Sequence, residues 1–383
     1  MKTKTRPTPR TPSRKKIRYA VVGLGHIAQT AMIPAFKHAR KNSELTALVS
    51  EDPAKLKFWG RRLKVKALYE MERFEALCQS GEIDAVYIAT PNTDHLRFIE
   101  IALKHHIHVL TEKPMVATVE EARRLRPILA RSRAQLMVAY RLHFDRPNLT
   151  AAQIANSGKL GDLRLFTSTF TMQVEDPENI RLQAAKAGGP LFDIGIYCIN
   201  AARSIFRDEP LSVFAVNESI KGDLRFRDVP EMVAVTMRFP KNRVATFTCS
   251  FGAAALAHYE VVGTKGWLCL DSSYEYAEGM QLEVGIGDRT TRREFKKRDQ
   301  FAPELVYFSD CILKRRRVEP SFEEGYNDLL VIEALLKSAR TGRPVELRAR
   351  TKTARPTLRQ EMRRPPTPKP RRENMIHITT PHN

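Results

Sequence analysis

No run in this sequence approaches the roughly 20 uninterrupted apolar residues that a membrane span needs, so no membrane partner is expected. Cysteine is sparse: Cys78, Cys198, Cys249, Cys269 and Cys311 lie scattered through the chain. An odd count with no CxxC pair and no Cys/His cluster argues against a disulfide framework and against zinc, and no metal is expected. Their apolar surroundings suit buried thiols in a reducing compartment. Acid is missing from the N-terminus, where residues 1–16 hold seven Lys/Arg and no Asp or Glu, a charge of +7. Residues 351–383 hold eight Lys/Arg against Glu361 and Glu373, a further +6, so only +8 of the net +21 is left for the body. That location weakens the case for nucleic acid, which is not expected as a partner. Both ends are rich in Pro and Thr (RPTPRTPSRKK; RRPPTPKPRRE), and 1–16 and 348–383 read as disordered basic tails.

What is present suits two domains. The chain has 383 residues, and single cores stop growing near roughly 250–300 residues. From Ile17 an apolar, β-branched strand, IRYAVVGLG, runs into HIAQTAMIPAFKHARKN, whose apolar spacing is helical. Gly23, Gly25 and Ala28 thus form G-x-G-x-x-A at a strand-to-helix turn. Gly23 permits the tight turn and Gly25 a close approach to a pyrophosphate. Ala28 permits close packing, and the helix start, with His26 and Ile27, attracts phosphate. Strands ELTALVS, IDAVYIAT, IHVLTEKP and AQLMVAYR alternate with helices PAKLKFWGRRL, RFEALCQS and DHLRFIEIALKHH. Such alternation predicts a doubly wound parallel sheet of the Rossmann kind over residues 17–142.

The end of the second strand selects the cofactor. Dinucleotide domains specific for NAD place an acid there for the adenine ribose, whereas here Ser50 leaves room for a 2′-phosphate. Lys55, Arg61 and Arg62 are near in sequence to neutralise it. Glu51 opposes this if turned inward, and Asp52 before Pro53 reads as a helix cap. NADP is favoured, with NAD left open. Further on, Thr90, Pro91 and Asn92 follow a strand end, where ligands bind. His95 is either a ribose contact or a residue on the surface of the next helix. The following strand ends in Glu112-Lys113-Pro114, aiming Lys113 into the nicotinamide crevice unless it merely pairs with Glu112.

The segment GGPLFDIGIYCINAAR, from Gly188 to Arg203, reads as a buried helix that nevertheless carries Asp193 and Tyr197. Spacing of i, i+4 places the two on one helical face. Polar groups on an apolar helix need partners, so the pair marks either a site or a cap and a backbone bond.

VVGLGHIA, TEKP and GGPLFDIGIY, in that order, resemble the glucose–fructose oxidoreductase/inositol dehydrogenase (Gfo/Idh/MocA) family over roughly residues 17–347. The resemblance implies that a Rossmann domain is followed, over 143–347, by an α/β domain with a large open, mostly antiparallel sheet. A closing helix at 322–341 would pack back near the first domain, and the open sheet face would pair subunits as a dimer or tetramer. It assigns Lys113, Asp193 and Tyr197 as catalytic. Most members carry His at the last position, and Tyr197 is similar to the glucose–fructose oxidoreductase branch, as is Ser50. The implied reaction is reversible, NADP-dependent hydride transfer at a sugar carbinol carbon. Tyr197 would be the base, Lys113 would favour its phenolate and donate to the developing alkoxide, and Asp193 would orient the sugar and Lys113. Tyr140, Arg141, Arg181 and Lys186 are the expected substrate contacts.

That branch is typically exported. Ser13-Arg14-Lys15-Lys16 faintly resembles the start of an export signal, yet the residues directly after it read as the first strand, so a cytoplasmic location is expected. The alternatives are a sugar or diol dehydrogenase with exchangeable cofactor, and a non-catalytic sensor that needs the crevice but not the proton chemistry.

Overall fold

The computed structural model describes residues 16–348, 355–368 and 375–378. The first sheet uses β1 (Ile17–Val22), β2 (Ser43–Val49), β3 (Ala67–Tyr69), β4 (Ala85–Ile88), β5 (His108–Thr111) and β6 (Leu136–Val138). All pairings are parallel and the order is β3-β2-β1-β4-β5-β6. Five helices join them: α1 (Ile33–Ala39), α2 (Pro53–Leu63), α3 (Phe74–Gln79), α4 (His95–Lys104) and α5 (Val119–Arg131). Strands β4 and β6 are buried at every position because helices cover both faces, which is why they read as unbroken apolar runs. Short β3 was not foreseen, since three residues give too little periodicity. The order reverses between β1 and β4, opening a crevice at the carboxyl edge of the strands.

The second sheet has nine strands. In chain order come α6 (Arg146–Ala155), β7 (Leu163–Thr171), α7 (Ile196–Phe206), β8 (Ser212–Glu218), β9 (Met232–Phe239) and β10 (Arg243–Ser250). After them come β11 (Leu256–Gly263), β12 (Gly266–Asp271), β13 (Met280–Ile286), β14 (Arg289–Phe295), α8 (Ala302–Leu313), α9 (Phe322–Thr341) and β15 (Val345–Glu346). The order is β14-β13-β12-β11-β7-β10-β9-β8-β15, antiparallel except where β7 lies parallel to β10. Helices α6, α7 and α9 pack on this sheet, and α9 also touches α5 and β6 of the first. On the face away from α7, Val244, Leu165, Val262 and Trp267 stand in one cross-strand row.

Helix α8 returns to the first sheet. Phe301, Leu305 and Phe308 share a core with Tyr19, Val21 and Phe36, and the Tyr19 hydroxyl lies 2.8 Å from Ser309 Oγ. Sequence order therefore does not follow spatial grouping here.

The expected disorder of the C-terminal tail is corrected for residues 355–368 and 375–378, which pack on the body. Arg203, fully buried, faces Glu209, Glu324 and Asp328, so one cation meets three carboxylates. Arg355 brings a second cation to Glu209 at 2.5 Å and to Glu324 at 2.8 Å. Composition cannot reveal this, because the charge complement is formed by distant parts of the fold. The basic stretch 1–15 lies outside the described residues, as do 349–354, 369–374 and 379–383. No helix among the described residues is long and apolar enough to cross a membrane.

Candidate active site

The dinucleotide turn is shaped by a close backbone approach. Gly23 has φ +89°, and a Cβ there would lie 2.6 Å from the carbonyl oxygen of Ala89. The chain then enters a wide π-helical turn, Ala28–Met32, which continues into α1. Gly23, Gly25, His26 and Ile27 line a crevice of about 1010 Å³ that extends across to α7.

At its ribose end stand Ser50, Glu51 and Lys55. Ser50 Oγ accepts the Asp52 N–H at 3.1 Å, while Asp52 Oδ1 caps α2 through Ala54 N at 2.8 Å and Lys55 N at 3.3 Å. Arg61 does not line the crevice. Arg62 lines a separate hollow beside Trp59. Of the three cations named from the sequence, Lys55 alone among the described wall residues faces the ribose end.

Thr90, Pro91 and Asn92 also line the crevice, and Asn92 Nδ2 donates to Ala187 O at 2.9 Å, tying the nucleotide domain to the loop before α7. His95 is corrected on both counts, being neither on the surface nor on the crevice wall. It is fully buried, with Nδ1 2.9 Å from Pro114 O and Nε2 3.1 Å from Thr90 O. Burial depresses its basicity, and its place is beneath two site loops, which it braces.

Lys113 does not pair its side chain with Glu112. Glu112 accepts the Tyr87 hydroxyl at 2.5 Å, and burial raises its carboxyl above the ordinary value despite that bond. The Lys113 ammonium instead crosses to the second domain. It donates to Asp193 Oδ1 and to the Asp193 carbonyl, both at 2.7 Å, and lies 5.1 Å from the Tyr197 ring centroid. Burial alone would weaken its hold on a proton, but Asp193 and then Tyr197 outweigh that and raise it.

Asp193 sits in a second π-helical turn, Leu191–Gly195, which leads into α7. Such widened turns recur at functional sites because they re-aim side chains. The turn is entered through Gly188, where a Cβ would meet Arg181 O at 2.5 Å. Asp193 makes no cap bond; Oδ2 instead accepts Arg181 Nε at 2.8 Å. Burial opposes its ionisation, but Lys113 and Arg181 hold it well below the usual carboxylate range. Capping is thus excluded as the role of this half-buried acid.

Tyr197 packs against Phe170 and Tyr274, with centroids 5.7 and 5.9 Å away. Arg141 lies 5.0 Å from the same ring, and its guanidinium donates to Gln300 and to the Tyr274 carbonyl. Arg141, Arg181 and Lys186 all line the crevice. Tyr140 does not, which corrects its assignment: it is buried, stacked on His143 at 5.5 Å, and faces a small cavity behind α7. β6 ends at Val138 and Arg141 opens a 3-10 turn, Arg141–Phe144, whose start turns Arg141 to the crevice side and leaves Tyr140 behind it. Sequence reasoning missed Tyr274, Tyr276 and Gln300. The aromatic pair in SSYEYAEG, at the β12–β13 corner, was the available signal.

Comparison with known proteins agrees with this architecture. Residues 17–140 match a family model described as the oxidoreductase family with NAD-binding Rossmann fold, and 148–269 match the GFO/IDH/MocA C-terminal domain. The chain is 30% identical over 338 residues to the D-xylose 1-dehydrogenase [NADP(+)] of Haloarcula marismortui, covering 86% of this chain and 93% of that one. Among solved structures, aldose-aldose oxidoreductase from Caulobacter crescentus is 33% identical with a TM-score of 0.82, matching 87% of this chain and 100% of that one. KijD10, a 3-ketoreductase from Actinomadura kijaniata, is 26% identical with a TM-score of 0.76, matching 85% and 98%. With both domains matched in order and such relatives spanning most of its length, this chain belongs to the GFO/IDH/MocA family of oxidoreductases.

Proposed function

We propose that the chain is an NADP-dependent sugar oxidoreductase that exchanges hydride between a carbinol carbon and the nicotinamide. The observation that carries this is Lys113, drawn across the crevice onto Asp193 and set against the face of Tyr197. The crevice fits a dinucleotide: Gly23 allows close backbone approach, the α1 entry offers N–H groups, and Ser50 with Lys55 accommodates a 2′-phosphate. Similarity to NADP-dependent xylose dehydrogenase and to aldose-aldose oxidoreductase supports a sugar as substrate.

Tyr197 takes the proton from the carbinol oxygen during oxidation and returns it during reduction. Lys113 stabilises negative charge developing on the substrate oxygen and on the phenol beside it. Asp193 fixes the Lys113 ammonium in place, and Arg181 keeps that carboxylate charged. Arg141 and Lys186 present further donors for sugar hydroxyls.

The test is nicotinamide absorbance and fluorescence with NADP+ or NAD+ across a panel of aldoses and polyols. Reduction by at least one sugar is expected, faster with NADP+. Tight nucleotide binding with a flat response to every sugar would instead favour the sensor.

The open sheet face supports a homo-oligomer. Leu165 is 48% exposed, Val262 36% and Trp267 37%, side by side on three adjacent strands. Such a contiguous apolar row is suited to a second copy of this chain. Light scattering after size exclusion should give a dimer or tetramer, and Leu165→Arg should shift it toward monomer. A wild-type monomer at micromolar concentration would overturn this.

A further inference from the structure

Beyond both regions matched by the family models, two short described stretches, 367–368 and 375–378, lie against the nucleotide crevice. Thr367 and Pro368, then Met375, His377 and Ile378, form part of its wall. The docking has defined polar contacts. Gln29, fully buried just past the glycine turn, donates to Ile376 O at 2.9 Å and accepts the Ile376 N–H at 3.0 Å. Its amide nitrogen also donates to Leu24 O at 2.7 Å, inside the dinucleotide turn itself. His377 Nδ1 lies 2.6 Å from Asp52 Oδ2, on the residue that caps α2 at the ribose end. Thr367 Oγ1 donates to Asp299 Oδ2 at 2.9 Å on the opposite wall.

We propose that residues 367–368 and 375–378 are part of the nucleotide site, a strap that holds NADP in the crevice and slows its release. The proposal rests on the NADP reading above. The strap is bonded to the glycine turn and the α2 cap, the two elements that fix the pyrophosphate and ribose ends. A dinucleotide seated against both must leave past the strap, so release is coupled to breaking these contacts. His377 is largely exposed and its ion pair contributes little by itself. The paired bonds between Gln29 and the Ile376 backbone carry most of the attachment. Loss of the Gln29 and His377 anchors, which a chain ending at Pro368 lacks while it keeps the Thr367 bond, predicts roughly tenfold faster release.

The experiment compares NADPH dissociation by stopped-flow fluorescence in the full chain, in a chain ending at Pro368, and in His377→Ala. Ending at Pro368 keeps Arg355 and its buried partners, so the fold is left its own supports. Release about tenfold faster from the truncated chain, with circular dichroism unchanged, is the expected result. A smaller acceleration is expected for His377→Ala. Equal release rates in all three would overturn the strap while leaving the cofactor reading standing. A full chain that binds no NADPH would overturn the cofactor reading and the strap together.

Discussion

The Lys113 ammonium and the Asp193 carboxylate meet at 2.7 Å across the two domains, and the same ammonium also takes the Asp193 backbone carbonyl at 2.7 Å. One lysine therefore locks both the side chain and the backbone of the turn that leads into α7. With Arg181 on the second carboxylate oxygen, Asp193 stays ionised and cannot swing toward solvent without leaving two partly buried cations short of a partner. If Tyr197 transfers the proton as proposed, this fixed turn matters because that step depends on close placement of the reacting groups.

Replacing Tyr197 with Phe keeps the ring and its contacts with Phe170 and Tyr274 but removes the oxygen proposed to transfer the proton. Turnover should fall by about 10²–10⁴-fold while NADPH affinity stays unchanged. Steady-state rates beside a fluorescence titration decide it. Turnover within a few fold of wild type would remove Tyr197 from the acid–base role.

Ser50→Asp should turn the cofactor preference. A carboxylate beside the ribose would accept its hydroxyls and repel a 2′-phosphate, moving the NADP/NAD ratio of kcat/KM by roughly 10–100-fold toward NAD. An unchanged ratio would mean that the 2′ position lies elsewhere.

Arg355→Ala should destabilise the protein by about 3 kcal/mol, since it leaves Glu209 and Glu324 with Arg203 as their remaining close cation among the described residues. Arg355→Lys should recover part of the loss, limited by the missing second donor arm. Calorimetry checks both. A melting temperature that does not move in Arg355→Ala would show that the 355–368 segment is not clamped there.

Glu319 is raised to about 8 by burial and by its neighbour Glu324. The folded chain keeps a proton that the unfolded chain loses near pH 4.5, so the native state binds more protons through that interval. The stability that this proton contributes is therefore full below about pH 4.5 and is lost as pH rises through about 8. Glu319→Gln should flatten that part of a melting-temperature profile, and an identical slope would contradict it.

Much of the site was legible because its signals are local. The glycine turn, the Asp52 cap and the Lys113-Pro114 strand end each depend on a few adjacent residues in a backbone context that the sequence itself states. Asp193 and Tyr197 were legible as anomalies, two polar groups on an otherwise apolar helix. The misreadings came where neighbouring residues separate in space. His95 and Tyr140 lie beside true wall residues, yet one turns under the crevice floor and the other behind α7.

Periodicity and turn chemistry act over a few residues, and so the doubly wound first sheet and the dinucleotide turn were already written in the chain, while Lys113, Asp193 and Tyr197 were joined into one group by the family resemblance. Folding had to bring Arg141 to Tyr197, place α8 in the first core, and dock the basic C-terminal segment on Glu209, Glu324 and Gln29. Those contacts join residues up to 347 positions apart, as for Gln29 and Ile376. Charge and shape matched over such separations exist only once the chain has folded.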